Sequence, residues 1–208
     1  MKYLLIFITI LFVAGCSQKT FNSSWTKQTS PPTFIAHFET TKGNFDIEVT
    51  RAWSPQAADR LYQLLNHHFY DNVLLYRVVA NFVVQFGNID TSVIRNWEKF
   101  KVPDEPVIKS NLKGMVSFAR SGKDTRGNDL FINLKDNSRL DTVNYEKVIG
   151  FPVLGTVING MDVVEKIYPE YGNKTMDVYD SLSSNREKYL ALFPKLDLIR
   201  KAYVLKKS

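Results

Sequence analysis

Short runs of strand-forming residues, each broken after a few positions by turn residues, constrain this chain more than any other feature. Residues 33–39 and 44–50 flank Thr40-Thr41-Lys42-Gly43, a hairpin signature. Further runs of the same kind fall at 73–79, 82–87, 114–119, 129–133, 153–157 and 198–205. Helical spacing is confined to three stretches. Ser54-Pro55 offers an N-cap with proline at the first helical position, and Ala58, Leu61, Leu64, Leu65 and His68 then recur at helical intervals. Residues 160–167 read as a second helix. Ser184-Asn185-Arg186-Glu187 fits a capping box that opens a third, running to Leu192. Without regular strand–helix–strand alternation, the expected fold is mainly β: a closed antiparallel barrel capped by two helices, with an extra helix before the last strand. No internal repeat is evident.

The N-terminus reads separately from the domain. Lys2 precedes an uncharged, mostly apolar run over 3–14, too short to span a membrane, which needs about 20 such residues. Its shape is that of a secretory signal. The run ends Leu11-Phe12-Val13-Ala14-Gly15-Cys16, which resembles the lipobox of bacterial lipoproteins. That resemblance implies cleavage before Cys16 and diacylation of its thiol, with each buried CH₂ contributing about 0.8 kcal/mol to anchoring. Ser17 and Gln18 follow, not an aspartate, which by the sorting rules of that class implies the outer membrane, facing the periplasm, in a Gram-negative cell. Residues 1–15 are thus expected to be a signal peptide. Residues 16–32, rich in Ser, Thr, Asn and Pro, are expected to be the lipidated cysteine and a flexible tether, and 33–208 a single domain.

Composition narrows the chemistry. Cys16 is the only cysteine, which excludes an internal disulfide framework and multi-cysteine metal sites. His67 and His68, adjacent on a helix, point about 100° apart and make a poor ligand pair. No metal and no cofactor are expected. A net charge of +6 and a pI near 9.3 would suit nucleic acid. The charges are scattered, however, apart from Lys206-Lys207, and an exported chain rarely meets nucleic acid. A solvated basic surface, aided by attraction to anionic lipid, is the expectation, without a nucleic-acid partner and with a monomeric chain. No nucleophile elbow, P-loop, His-Glu-x-x-His or dinucleotide fingerprint is present.

What stands out is Tyr70-Asp71-Asn72-Val73-Leu74-Leu75-Tyr76-Arg77-Val78, continuing to Phe82-Val83-Val84-Gln85-Phe86-Gly87. Arg77 and Gln85 lie among aromatic and β-branched residues and need partners if buried. Taken alone, the segment fits a structural arginine paired with a carboxylate as well as it fits a site. The segment resembles the first signature of cyclophilin-type peptidyl-prolyl isomerases, Tyr-x-x-x-x-Phe-His-Arg-Val-x-x-x-Phe-x-x-Gln-x-Gly. Two further blocks follow in the family's order. One is Gly114-Met115-Val116-Ser117-Phe118-Ala119-Arg120-Ser121-Gly122 with Asn128-Asp129-Leu130-Phe131-Ile132. The other is Arg139-Leu140-Asp141 with Phe151-Pro152-Val153-Leu154-Gly155-Thr156-Val157 and Gly160-Met161-Asp162-Val163-Val164.

The resemblance implies a cyclophilin-like barrel and a rotamase acting on proline-containing polypeptides, here in the folding of exported proteins. It implies Arg77 as the catalytic arginine, with Phe82 and Gln85 beside it. Val83, Phe131, Leu140 and Phe151 would wall the proline pocket, and Ala119 and Arg120 would line the peptide groove. Several positions depart from the family pattern. Its histidine before the arginine is Tyr76, its groove asparagine is Arg120, its glutamine before Phe-Phe is Asp129, and its tryptophan before Leu-Asp is Arg139. Phe151 replaces a histidine or tyrosine, after an insertion of about seven residues around 142–150 that is expected to be a surface loop. These changes bear on turnover, substrate preference and binding of cyclosporin-like macrocycles. They keep open a proline-segment binding module, a holdase or a structural envelope lipoprotein on the same fold. Phe193, Leu196, Leu198 and Tyr203 of the long C-terminal region are expected to pack back on the barrel, against the alternative of a partner-binding appendage.

Overall fold

The computed structural model describes residues 21–87, 91–145 and 147–205. The signal segment and Cys16 lie outside the described residues. Strands β1 (Thr33–Thr40) and β2 (Gly43–Thr50) form the expected hairpin, in a register pairing Phe38 with Phe45 and Thr40 with Gly43. Alternation along β1 buries Phe34, Ala36 and Phe38, and β2 answers with Phe45, Ile47 and Val49. The rings of Phe38 and Phe45 stack at 4.9 Å. Gly43 closes the two-residue turn at φ +127°, a conformation that a side chain would strain.

The other strands are β3 (Val73–Leu74), β4 (Arg77–Val79), β5 (Val83–Phe86), β6 (Met115–Phe118), β7 (Leu130–Asn133), β8 (Asn144–Tyr145), β9 (Val148–Ile149), β10 (Val153–Asn159) and β11 (Leu198–Val204). Nine of them make one antiparallel sheet, ordered β3-β11-β1-β2-β10-β6-β7-β5-β4. Its two edge strands, β3 and β4, are consecutive in sequence and joined only by Leu75 and Tyr76. Three Cα steps reach about 10 Å at most, so the sheet must curl until its edges meet. The chain itself closes the barrel. This corrects the single strand expected over 73–79: at the seam the backbone leaves β11 and joins β5, and Leu75 N–H bonds to the Asp197 carbonyl at 2.9 Å. Strands β8 and β9 pair separately, so the inserted segment around 142–150 is a small hairpin.

Helix α1 (Pro55–Asn66) buries Ala57, Ala58, Leu61, Leu64 and Leu65 in the core and stops two residues short of His68, which adopts φ +58°. Ser54 precedes it, but its side chain does not cap the helix. Glu105 does. Its carboxylate accepts the N–H groups of Gln56 at 2.8 Å and Ala57 at 3.3 Å, and also the Ser54 hydroxyl. A carboxylate satisfies the open N–H groups and the dipole of a helix start better than a neutral hydroxyl does.

Helix α2 (Thr91–Glu98) is absent from the sequence reading, and its Trp97 is buried. The edges of Phe21 and Phe69 meet the Trp97 ring at 5.2 and 6.5 Å, and Trp25 stacks on His67 at 3.9 Å. From Phe21 onward, therefore, the supposed tether is part of the fold, with a 3-10 turn over Ser23–Lys27. Its polar composition concealed two aromatic anchors. Helix α3 (Met161–Glu165) is shorter than the expected 160–167.

The C-terminal region forms a 3-10 turn (Lys174–Val178), α4 (Tyr179–Ser184) and α5 (Arg186–Leu192). The cap of α5 is Asn185, one residue later than the Ser184 expected, and it accepts the Lys188 N–H at 2.9 Å; the Ser184 hydroxyl instead donates back to the Asp180 carbonyl. Leu182, Tyr189 and Phe193 pack with Leu74 and Tyr76 of the barrel seam, joined by Leu196 and Leu198. Packing onto the barrel, as expected, is what these residues do. Tyr203 differs: it lies on the outer face, its ring 5.1 Å from that of His37 and its hydroxyl donating to Glu39. No helix among the described residues is long and apolar enough to cross a membrane.

Candidate active site

A cleft of 720 Å³ opens on the face where β4, β5 and β7 meet. Arg77, Phe82, Val83, Gln85, Ala119, Arg120, Phe131, Leu140 and Phe151 all line it. Residues spread over 75 positions of sequence are thus brought together by the sheet register. Arg77 sits opposite Gln85 in the β4–β5 pair, and Gln85 opposite Phe131 in the β5–β7 pair. Val83, Phe131 and Leu140 form a buried apolar floor, with Phe82, Ala119, Val143 and Phe151 around it.

At the edge of that floor, Arg77 Nη1 donates to Gln85 Oε1 at 2.8 Å and Arg77 Nε to Asn173 Oδ1 at 2.7 Å. The guanidinium carbon lies 5.9 Å from the centre of the Phe82 ring. No salt bridge between Arg77 and a carboxylate occurs among the described residues, and desolvation lowers its pKa. A half-buried cation held by two neutral amides keeps its charge available for a ligand.

The apolar walls are held from behind by a chain of amides. Asn137 Nδ2 donates to the Phe82 carbonyl and to Asn133 Oδ1, both at 2.9 Å. Asn133 Nδ2 reaches Asn111 Oδ1 at 3.2 Å, and Asn111 Nδ2 donates to the Phe151 carbonyl at 2.9 Å and to Asp141 Oδ1 at 2.8 Å. Asp141 is next to Leu140. One buried network therefore fixes the backbone at or beside three pocket residues. Nothing in the local sequence pattern identified it.

Arg120 requires a correction. Its side chain is fully buried, donating to the carbonyls of Val148 and Gly150 and lying 3.4 Å from Asp104 Oδ1. It fastens the inserted β8–β9 hairpin, and only its backbone is left to face the groove. Its guanidinium stacks on the Phe151 ring at 4.6 Å. The Tyr76 hydroxyl donates to Asp129 Oδ1 at 2.8 Å, and Tyr179 approaches the same carboxylate at 3.4 Å. Two pairs of departures from the family pattern, Tyr76 with Asp129 and Arg120 with Phe151, thus contact each other. The Arg139 guanidinium carbon lies over the Phe82 ring, 4.9 Å from its centre. Asn173, Met176, Asp177 and Tyr179, all from the C-terminal region, complete the cleft, and the sequence reading assigned none of them.

Desolvation, partly offset by hydrogen bonds from Tyr76 and Tyr179, pushes the Asp129 carboxyl up to about 6. An acid whose pKa rises on folding binds more protons in the native state, so its contribution to stability falls as pH rises from about 4 to about 6. Asp129→Asn keeps an acceptor for both tyrosines and is expected to remove that loss. In urea unfolding, the variant should gain stability over the wild type at pH 7 and not at pH 4. A uniform gain or loss at both values would contradict the assignment.

Among the described residues no group of three or more His, Cys, Asp or Glu side chains is arranged to hold a metal ion. The family model for cyclophilin-type peptidyl-prolyl cis-trans isomerases matches residues 35–180. The chain belongs to the cyclophilin family. Among curated relatives, a peptidyl-prolyl cis-trans isomerase of Acinetobacter baylyi is 30% identical over 135 residues, covering 64% of this chain and 71% of that one. The CYP18-2 isomerase of Arabidopsis thaliana is 31% identical over 143 residues, covering 66% and 81%. Among solved structures, a cyclophilin-type isomerase of Cryptosporidium parvum superposes with a TM-score of 0.62 at 17% identity, over 85% of this chain and 99% of its own. The same protein has been solved in the presence of the dipeptide Ala-Pro. Within this cyclophilin, the family model ends at Asp180, where α4 has just begun.

Proposed function

We propose that this cyclophilin accelerates X–Pro isomerisation in exported polypeptides by binding the twisted amide more tightly than either planar form, with Arg77 as the principal donor. The observation that carries this reading is the Arg77–Gln85 pair at the rim of the Val83, Phe131 and Leu140 floor. Rotation about an X–Pro bond breaks amide conjugation, at a barrier of about 18–20 kcal/mol. As conjugation is lost, the prolyl nitrogen pyramidalises and gains a lone pair. A guanidinium N–H placed beside it stabilises the twisted state and has little to donate to in the planar one, which is the condition for catalysis. The apolar floor holds the pyrrolidine ring while the rest of the peptide turns. The chain's own residues supply every element of this scheme.

Lipid anchoring completes the proposal. It rests on the apolar run ending Leu11-Phe12-Val13-Ala14-Gly15-Cys16, with Ser17 and Gln18 pointing to the outer membrane, periplasmic side. Prolyl isomerisation takes tens of seconds or more when uncatalysed, so polypeptides folding outside the cytoplasm present a substrate. In a bacterial host, labelled fatty acid should enter the wild-type chain and not Cys16→Ser, which should also leave the membrane fraction. Equal labelling of both would sink the anchor. A protease-coupled isomerisation assay on the full chain tests the activity: a rate at the spontaneous background would overturn it.

A further inference from the structure

The C-terminal region packs more than hydrophobic surface onto the barrel, since it places Asn173 against Arg77. Two features fix that placement. Gly172 makes a β-bridge to Val78, the residue after Arg77, so the turn is tied to β4 itself. Gly172 also adopts φ +55°, which turns the chain and leaves Asn173 beside the guanidinium, and the Lys174 N–H closes the turn on the Tyr171 carbonyl at 3.0 Å. Asn173 Oδ1 then accepts Arg77 Nε–H at 2.7 Å, while Gln85 accepts from Nη1 at 2.8 Å.

We propose that Asn173 is a positioning residue for Arg77, so that the C-terminal segment is part of the isomerase apparatus. The proposal rests on the isomerase reading above. An arginine side chain has several rotatable bonds, and one acceptor on Nη1 leaves the guanidinium plane free to swing about it. A second acceptor on Nε, from the opposite side of the strand pair, sets the plane. The remaining N–H groups then point to one place at no cost in reorganisation when the amide twists. Asn173 touches no substrate in this scheme and acts only through Arg77.

The full-length chain in detergent micelles tests this with Asn173→Ala, Asn173→Asp, Arg77→Ala and the Arg77→Ala/Asn173→Ala double variant. Asn173→Ala is expected to lower kcat about tenfold with KM changed less than about twofold, as for a lost charge-assisted hydrogen bond felt mainly in the transition state. Asn173→Asp keeps the acceptor oxygen but pairs the guanidinium with a charge that the amide lacks, so it should restore kcat only in part, above the Asn173→Ala value. The double variant should be no slower than Arg77→Ala alone. By NMR, the Arg77 Nε–H should exchange with water faster in Asn173→Ala and stay protected in Asn173→Asp, a change that loss of mere packing would not produce. Wild-type kcat in Asn173→Ala, or a double variant slowed by the product of the two single effects, would overturn the proposal and leave the isomerase reading intact. A background rate in the wild-type chain would remove the isomerase reading and this proposal with it.

Discussion

Arg77→Ala is expected to lower kcat/KM for X–Pro isomerisation by roughly 10²–10³-fold, the cost of removing one preorganised donor from a developing lone pair. The fold should persist, because Arg77 is half-buried, bonded to two neutral amides and part of no salt bridge among the described residues. Its neighbours Val78 and Val79 keep the β4–β5 pairing. Arg77→Lys should recover little, since an ammonium is a point charge on a flexible stem and cannot hold both Gln85 and Asn173 while presenting a donor. A refolding assay limited by prolyl isomerisation, beside a protease-coupled peptide assay, measures this. Rates for Arg77→Ala within about threefold of an active wild type would show that catalysis proceeds without the arginine, whereas background rates in both would make the cyclophilin a binding module.

The largest effect on stability is expected at Glu105. Its carboxylate ion-pairs with Arg126 at 2.9 Å, and the Arg126 side chain is fully buried. The same carboxylate caps α1 through Gln56 and Ala57. Glu105→Ala strands a buried guanidinium and opens a helix N-terminus in one step, a loss of about 3–5 kcal/mol from the unpaired charge. For a domain of this size that corresponds to a fall in Tm of roughly 6–20 °C. Glu105→Gln keeps the cap acceptor and should lose less. Thermal unfolding followed by circular dichroism discriminates the two, and an unchanged Tm in Glu105→Ala would mean that Asp104 alone neutralises the buried arginines. Glu105 does not line the cleft, so Glu105→Gln at temperatures well below its Tm should retain isomerase activity.

Strands β1 and β2 were legible because their alternation reflects a physical division between core and solvent. Strands β5 and β7, buried at every position, were legible as short runs of strand-forming residues between turns. Helix α2 was not, because it is only eight residues long and its anchor is the contact of Trp97 with Phe21 and Phe69 from distant sequence. The cap of α1 misled for a related reason: Ser54 is a good local cap, and Glu105, 51 residues later, is a better one in space. At the site, every residue named from the resemblance lines the cleft. Arg120 does so through its backbone, because an inserted hairpin supplies carbonyls that bind its guanidinium.

By itself the sequence determined the β-rich class, the hairpin at Gly43, the signature residues Arg77, Phe82, Gln85 and Phe131, and the pattern at Cys16 on which the proposed lipid anchor rests. These are properties of neighbours along the chain, set by side-chain alternation, turn chemistry and short motifs. Only the tertiary structure decided how the barrel closes, since that depends on which strand ends up beside β3 and which beside β4. It alone brought Asn173 to Arg77, 96 residues away, and Tyr76 to Asp129. Hydrogen-bond partners of buried polar groups are chosen by proximity in space, and local sequence specifies the need for a partner without saying which residue meets it.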